Sequence, residues 1–198
     1  MGDFGQDIGL FGGSFDPVHN GHCAIAESFL KSEFISELWV LLTPDPPHKP
    51  ERTFSDYHVR LKMLQAAFRG MSRVSVKDIE KDLPKPSYTL QTLQSLSRKQ
   101  PDKNFYLCIG EDSLRDFKSW HKWQNILDYC ELLVARRRVD IDKETIDEII
   151  AQKTHYVSHQ PVDISSTEIR KAVAEGNSIS EWVPQAVEKL IKEHNLYK

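Results

Sequence analysis

The sequence has no excess of either charge and contains little cysteine. Its 26 lysines and arginines nearly balance 29 aspartates and glutamates, which leaves a formal net charge of −3. Proteins that coat nucleic acid carry a basic excess, so this balance argues against that class. The three cysteines, Cys23, Cys108 and Cys130, form no C-x-x-C pair. Their spacing argues against a disulfide framework and against a structural zinc site.

Long apolar runs are also absent. No stretch approaches the ~20 residues of a membrane span, and the first residues lack both a signal-peptide pattern and a myristoylation signal. Together with unpaired thiols, this predicts a cytoplasmic protein with neither a membrane nor a nucleic-acid partner. Whether the chain forms a homo-oligomer stays open. With 39% of its 198 residues hydrophobic, the chain can bury a core, and a single domain over 1–198 is expected.

Three widespread site motifs are missing as well. The sequence contains no G-x-x-x-x-G-K-[ST], no G-x-G-x-x-G and no H-E-x-x-H. These absences argue against a P-loop nucleotide hydrolase, the usual dinucleotide-cofactor fingerprint and a zinc protease.

What the chain does have is a regular alternation of short apolar runs and helix-length segments. Near-continuous apolar strands separated by helices indicate a parallel sheet covered on both faces. We therefore predict a doubly wound α/β fold with a mainly parallel sheet, and a helical C-terminal part, about 164–198, packed on it. In such sheets ligands bind beyond the carboxyl ends of the strands. Strands are predicted at 8–11, 38–42, 74–76, 105–109, 132–135 and 155–157, and helices at 22–31, at 56–69, around Leu90, Leu93 and Leu96, and in the tail from Val183 to Ile191.

The most informative string follows the first predicted strand and reads GGSFDPVHNGH over 12–22. Its glycines, Gly12, Gly13 and Gly21, let a ligand approach the backbone closely. His19 and His22 flank the predicted start of a helix, where the helix dipole favours an anion. This combination predicts a phosphate site; the alternative is a strand–turn–helix junction with two structural histidines.

A second candidate anion site reads ISSTEIR over 164–170. Hydroxyls from Ser165 and Ser166 near a helix start, with Arg170 one turn later, suit a phosphate. Ser165 with Glu168 is equally typical of a capping box that only begins a helix. Two anion sites on one surface favour a triphosphate over a single phosphate.

Weaker signals lie between these two strings. A proline-rich loop would hold Lys49 at a fixed place, and Ser87 and Thr89 precede a helix that either could cap. Gly110 and Asp112 follow a strand, and the carboxylate of Asp112 suits ribose hydroxyls. Phe117, Trp120 and Trp123 form a stripe more typical of core than of a ligand site, and arginines 136–138 suit either a solvated patch or a phosphate contact.

The 12–22 and 164–170 strings together resemble the H-x-G-H nucleotidyltransferases, and within them the bacterial nicotinate-nucleotide adenylyltransferases. The resemblance covers nearly the whole chain, including PPHK at 46–49, SYT at 87–89, Gly110 with Asp112, Phe117 with Trp120, and LY at 196–197. It implies transfer of the adenylyl group of ATP to nicotinate mononucleotide, with Mg²⁺ required and pyrophosphate released. Both substrates are small molecules.

The resemblance also implies roles for individual residues. His19, His22 and Arg170 would be catalytic. The two histidines would act at the α-phosphate of ATP, and Arg170 at its β- and γ-phosphates. Lys49, Ser87, Thr89, Trp120 and Arg137 would bind the pyridine nucleotide, and no protein ligand of the metal is assigned. ATP contacts would come from a third set: Gly12, Gly13, Ser14, Phe15, Gly21, Gly110, Asp112, Ile164, Ser165 and Ser166.

Two positions depart from the family's usual pattern. Arg137 is followed by Arg138 and Val139 where the family often has Pro-Gly, and His121 stands where a second aromatic commonly follows the tryptophan. Other H-x-G-H transferases, acting on phosphopantetheine or cytidylyl substrates, are the alternatives within the fold. A non-catalytic nucleotide-binding module is the alternative from another class.

Overall fold

The computed structural model describes residues 7–46, 53–136 and 146–198. Within these ranges six strands form one sheet in the order β3-β2-β1-β4-β5-β6, and every neighbouring pair is parallel. The prediction of a doubly wound, mainly parallel sheet is confirmed. The strands are β1 (Asp7–Gly13), β2 (Glu37–Leu42), β3 (Val74–Lys77), β4 (Asn104–Gly110), β5 (Glu131–Arg136) and β6 (Thr154–Ser158).

Helices connect the strands and cover the sheet, as parallel pairing requires. Two apolar clusters of buried side chains lie against them, one including Phe29, Leu64 and Val187 and the other including Leu93, Phe117 and Leu132. In the described ranges the helices are α1 (Asn20–Lys31), α2 (Tyr57–Phe68), α3 (Thr89–Lys99), α4 (Glu111–Arg115), α5 (Trp123–Ile126), α6 (Glu148–Gln152), α7 (Ser166–Ala174) and α8 (Gln185–Glu193), with 3₁₀ turns at Ile79–Asp82 and Phe117–Ser119.

The observed bounds differ from the predicted ones in two informative places. β1 extends through Gly12 and Gly13 and does not stop at residue 11, because the two glycines pair in register with Leu41 and Leu42 of β2. Helix α8 begins at Gln185, so Val183 lies before it, although its side chain is 2% exposed and belongs to the core. Hydrophobic periodicity marks buried faces, and such a face can extend past a helix end.

Strand order reverses between β1 and β4, because β2 and β3 lie on one side and β5 and β6 on the other. This switch opens a crevice above the carboxyl ends of β1 and β4. Gly9, lower in β1, keeps the sheet closely packed there, since a Cβ on it would lie 2.5 Å from Ile35 Cδ1 and 2.9 Å from Cys108 Sγ. Across the described ranges, no helix is both long and apolar enough to cross a bilayer.

Candidate active site

A cavity of about 300 Å³ lies at the switch in strand order. It is within the size range of small-ligand sites. Its walls combine strand ends with the start of α3 and the segment after α4. Of the predicted site residues, it brings together Gly12, Gly13, Ser14, Ser87, Thr89, Gly110 and Trp120.

The aromatic part of the cavity wall contains His121, one of the two positions where the sequence departs from the family pattern. His121 lines the cavity beside Trp120 and stacks on Tyr88, with ring centroids 4.3 Å apart and planes 24° apart. Phe117 is fully buried in the core, and Trp123 packs against the same core cluster. The aromatic stripe is therefore divided: Trp120 lines the cavity, Phe117 is buried in the core, and the half-buried Trp123 packs against that core outside the cavity lining.

Ser87 ties two walls of the cavity together. Its amide donates to the carbonyl of Asp45 at 3.1 Å, and its hydroxyl accepts from the Asp45 amide at 3.4 Å. This pair joins the loop after β2 to the start of α3. Lys49 and Arg137, both predicted to bind the pyridine nucleotide, are outside the described residues.

The turn after β1, residues 14–20, continues directly from the cavity wall; we call it the histidine turn. His19 is the N-cap of α1 and His22 lies in the first turn of that helix, as the sequence predicts. Their rings lie 3.7 Å apart. The His19 amide donates to Nδ1 of His22 at 3.2 Å. Because that nitrogen accepts a hydrogen bond, neutral His22 carries its proton on Nε2 and donates through that atom.

His19 is buried beneath the helix start. It is 6% exposed, and burial lowers the pKa of its side chain to about 4, with a smaller opposing effect from the carboxylate of Glu168. Its imidazole is therefore neutral at neutral pH. Its Nδ1 finds no hydrogen-bond partner within the described residues.

Gly21 creates open space beside His19. A Cβ at this position would lie 3.0 Å from Nδ1 of His19 and 3.5 Å from a methyl group of Ile164. Any side chain here would fill the space between the imidazole and Ile164, so the expected requirement for glycine has a direct steric basis.

Phe15 contributes to this turn through its packing. It has a φ of +43°, its side chain is 2% exposed, and its ring meets those of Phe11 and His22 edge-on. An ATP contact from Phe15 would therefore come from its backbone.

The second predicted anion site lies against the histidine turn. The hydroxyl of Ser166 donates to the carbonyl of Pro17 at 2.9 Å, and Nη1 of Arg170 donates to the carbonyl of Asp16 at 2.8 Å. The two strings singled out in the sequence therefore meet, although they lie about 150 residues apart.

The start of α7 has the capping box that was the alternative interpretation of Ser165 and Glu168. Ser165 and Glu168 form a reciprocal capping box, in which the Ser165 amide donates to Glu168 Oε2 at 2.8 Å and the Glu168 amide to Ser165 Oγ at 3.2 Å. The capping box places a carboxylate beside Ser165. Any anion held near this helix start therefore depends on the cationic Arg170 more than on the Ser165 hydroxyl.

Asp112 lies apart from the cavity. It is in the first turn of α4, its side chain is exposed, and it pairs with Arg115 at 3.1 Å. Its proposed contact with ribose hydroxyls stays a prediction.

The comparisons with known proteins agree with this architecture. Residues 10–172 match the family model described as cytidylyltransferase-like. The probable nicotinate-nucleotide adenylyltransferase of Christiangramia forsetii is 36% identical, over 98% of this chain and 99% of that protein. The chain belongs to the nicotinate-nucleotide adenylyltransferase family. A second member, the probable enzyme of Bacillus pumilus, is 32% identical over 98% of this chain and 99% of its own.

Solved structures of the same family share the fold. The nicotinic acid mononucleotide adenylyltransferase of Plasmodium falciparum, complexed with NaAD, superposes with a TM-score of 0.78 at 22% identity, covering 97% of each chain. The same protein complexed with APC gives a TM-score of 0.77 at 23% identity, also over 97% of each chain.

Two buried polar residues at the site of this family member were not predicted from its sequence. Arg60, in α2, donates to the carbonyls of Ser14 at 2.7 Å and Thr43 at 3.1 Å, and so joins the histidine turn to the loop after β2. Its position on the same helical face as the apolar residues Met63 and Leu64 was a sequence signal that this arginine is buried.

Glu80 is the second missed residue and carried no such signal. It lines the cavity, accepts from the Thr92 hydroxyl at 3.0 Å, and burial raises its pKa. Its Oε2 has no hydrogen-bond partner among the described residues. A single glutamate in a 3₁₀ turn has no pattern that would mark it as buried.

Proposed function

We propose that this protein transfers the adenylyl group of ATP to nicotinate mononucleotide, forming nicotinate adenine dinucleotide and pyrophosphate. The observation that carries the proposal is that Gly12, Gly13 and Ser14 line the cavity and lead directly into the histidine turn. A nucleotide held in the cavity would have its phosphate next to a triphosphate held at the turn. The names of the relatives supply the identity of the two substrates.

The reaction places little demand on acid–base chemistry. The attacking group is a phosphate monoester with a second pKa of about 6, so it is already ionised at neutral pH. The protein needs to align that oxygen with the α-phosphorus and to offset the repulsion between two anions. A site with neutral imidazole donors and fixed cations suits this task better than one with a general base.

His22 and His19 are proposed to act at the α-phosphate. The tautomer of His22 directs a donor from Nε2, and its orientation is fixed by the hydrogen bond from the His19 amide. His19 stays neutral because of its burial and would contribute a second imidazole at the same place. Donors held in place before the reaction stabilise developing charge without reorganisation.

Arg170 is proposed to neutralise the β- and γ-phosphates. Its guanidinium keeps its charge at any working pH, and its donation to the Asp16 carbonyl anchors it beside the histidine turn. Lys49 is proposed to add a second cation at the triphosphate or at the incoming phosphate, and Arg137 to contact the pyridine nucleotide. Ile164, Ser165 and Ser166 would border the ATP site from the side of α7, and Gly21 would leave room for the nucleoside.

The pyridine ring is proposed to lie in the cavity against Trp120. Ser87 and Thr89 at the start of α3 would hold its carboxylate, near amides that suit a negative charge. The stacked pair of Tyr88 and His121 forms an aromatic wall at the position where the family usually has a second aromatic. This pair supports a stacking site despite the substitution.

Magnesium would enter with ATP. The part of the chain that the structure describes holds no cluster of three or more His, Cys, Asp or Glu side chains suited to a metal. Mg²⁺ often keeps several waters and binds through substrate phosphates, so this donor set fits an ion held mainly by ATP. When bound, the ion would draw charge from the phosphate oxygens.

The deciding experiment offers the protein ATP and Mg²⁺ with nicotinate mononucleotide, nicotinamide mononucleotide or phosphopantetheine in parallel, and identifies products by mass spectrometry. A dinucleotide and pyrophosphate formed mainly with the nicotinate substrate is the expected result. A product with phosphopantetheine alone would retain the fold assignment and refute the assignment of the cavity. ATP binding without any product would favour a non-catalytic nucleotide-binding module.

A further inference from the structure

Tyr197, which follows α8, reaches the histidine turn. Its hydroxyl donates to Oδ1 of Asp16 at 2.7 Å, and Asp16 is 2% exposed. The half-buried tyrosine ring packs against the apolar core cluster that also contains Phe15 and Val18. A hydroxyl bonded to a buried carboxylate makes a charge-assisted hydrogen bond, which is shorter and stronger than a neutral one.

The same aspartate also receives Arg170. Nη1 of Arg170 donates to the backbone carbonyl of Asp16 at 2.8 Å, while Tyr197 holds the side chain of that residue. His19 follows three residues later. A displacement of Asp16 would therefore shift the cation proposed for the triphosphate and the imidazole proposed for the α-phosphate together.

The hydroxyl of Tyr197 keeps its proton over the working pH range. Burial raises its pKa above the ordinary range, and the negative charge of Asp16 raises it further. The hydrogen bond to Asp16 consequently keeps one direction, from tyrosine to carboxylate.

We propose that Tyr197 is a positioning residue for ATP, whose hydroxyl fixes Asp16 and, through it, Arg170 and His19 in the arrangement that receives the triphosphate. The inference rests on the proposed function and assigns Tyr197 to one substrate only. Neither Tyr197 nor Asp16 is among the residues that line the cavity proposed for the pyridine nucleotide. The two substrates should therefore respond differently when the hydroxyl is removed.

The test compares Tyr197→Phe with the unaltered protein, using isothermal titration calorimetry with MgATP and with nicotinate mononucleotide separately. The substitution removes one oxygen and keeps the ring in the core. The dissociation constant for ATP should rise roughly tenfold, as expected for loss of one hydrogen bond to a charged group. The dissociation constant for nicotinate mononucleotide should stay within about twofold of that of the unaltered protein, because the cavity proposed for this substrate does not include Tyr197. Tyr129→Phe, at an exposed tyrosine, is the matched control.

A second variant tests the route through Asp16. Asp16→Asn keeps an acceptor but removes the charge, so it should weaken ATP binding less than Tyr197→Phe does. Because the two residues share one hydrogen bond, their combined effect should be smaller than the product of the separate effects. Fully independent effects would overturn the proposal.

The remaining outcomes also discriminate. Unchanged ATP affinity in Tyr197→Phe would overturn this inference and leave the proposed function standing. Equal weakening of both substrates, with a lower melting temperature, would assign Tyr197 a general structural role and overturn it as well. Failure of the unaltered protein to bind ATP would reject the proposed function and this inference together.

Discussion

At the scale of single residues, the two histidines differ although they lie in one motif. His22 is half-buried and oriented by a backbone hydrogen bond, whereas His19 is nearly inaccessible. The sequence places both at a helix start but does not distinguish them, because their difference comes from residues packed around them. Each therefore leads to a different kind of prediction.

Replacing His22 should mainly impair turnover. His22→Ala removes the oriented Nε2 donor, and losses at comparable charge-stabilising sites are on the order of 10²-fold or more in kcat. The measurement is steady-state formation of the dinucleotide, with His58→Ala, at an exposed position of α2, as the control. Near-normal kcat in His22→Ala would contradict a role at the α-phosphate.

Burial of His19 should make stability depend on pH. Its pKa is lowered from 6.5 to about 4 on folding. The unfolded chain therefore binds the proton more readily, and the free energy of unfolding falls as the pH drops from about 6.5 towards 4. At about pH 5 the loss should be about 2 kcal/mol relative to about pH 7.5.

Urea unfolding at the two pH values measures this effect. His19→Asn should lose about 2 kcal/mol less than the unaltered protein over the same pH interval, whereas the exposed-site variant His58→Asn should follow the unaltered protein. The same pH dependence in His19→Asn would show that another group is responsible.

At the scale of secondary-structure elements, α2 stabilises the loops of the site through Arg60. Arg60 is 2% exposed and donates to backbone carbonyls of Ser55, Ser14, Thr43 and Pro44. These carbonyl groups lie in loops, so no neighbouring strand of the sheet donates a hydrogen bond to them. The planar guanidinium is suited to serve several of them at once.

Replacement of Arg60 should destabilise the fold as well as the site. Arg60→Met leaves several buried carbonyls without donors, at about 1–3 kcal/mol each, so a loss of at least about 3 kcal/mol is expected. Arg60→Lys should recover part of it. Chemical denaturation provides the measurement, with Arg98→Met on the exposed end of α3 as control. A small loss in Arg60→Met, similar to that control, would contradict this account.

The elements themselves were largely predictable. Apolar runs located all six strands seen in the described ranges. Periodicity located α1 and α2 to within about two residues and marked the position of α3. The short helices α4, α5 and α6 were not predicted, because four or five residues carry too little periodicity. The loops that join the elements depend on Arg60 and Ser87, whose contacts are set by tertiary packing and not by local sequence.

The site was predictable in the same uneven way. The glycines and histidines of the 12–22 string stand out because their types serve a specific geometry. The contact between Tyr197 and Asp16 joins residues 181 positions apart, and no local pattern connects them. The capping box at α7 was foreseen as an alternative, and its formation shows that Ser165 has a structural role whether or not it also borders ATP.

At the scale of the whole molecule, two neighbouring binding regions are proposed at the switch in strand order. The cavity with Trp120 lies beside the histidine turn, and four of the predicted ATP residues also line it: Gly12, Gly13, Ser14 and Gly110. Each substrate should therefore stabilise the fold by itself through its preference for the native state.

Thermal unfolding should detect the two sites separately. At a concentration of about 100 times its dissociation constant, either substrate adds about 2.7 kcal/mol, which corresponds to a rise in Tm of about 5–10 °C. Trp120→Ala should lose most of the shift with nicotinate mononucleotide and keep the shift with ATP. Loss of both shifts, or of neither, would contradict the separation. Trp123→Ala, outside the cavity lining, is the comparison.

The partners of the histidine turn come from the far end of the chain. Ser166, Arg170 and Tyr197 bond to residues that precede them by 149, 154 and 181 positions. A ribosome builds the chain from its N-terminus, so the motif is synthesised long before the groups that hold it in place. A partly synthesised chain that has not reached Tyr197 would carry the histidines without these supports, so the arrangement proposed to receive ATP forms only after that residue has been made.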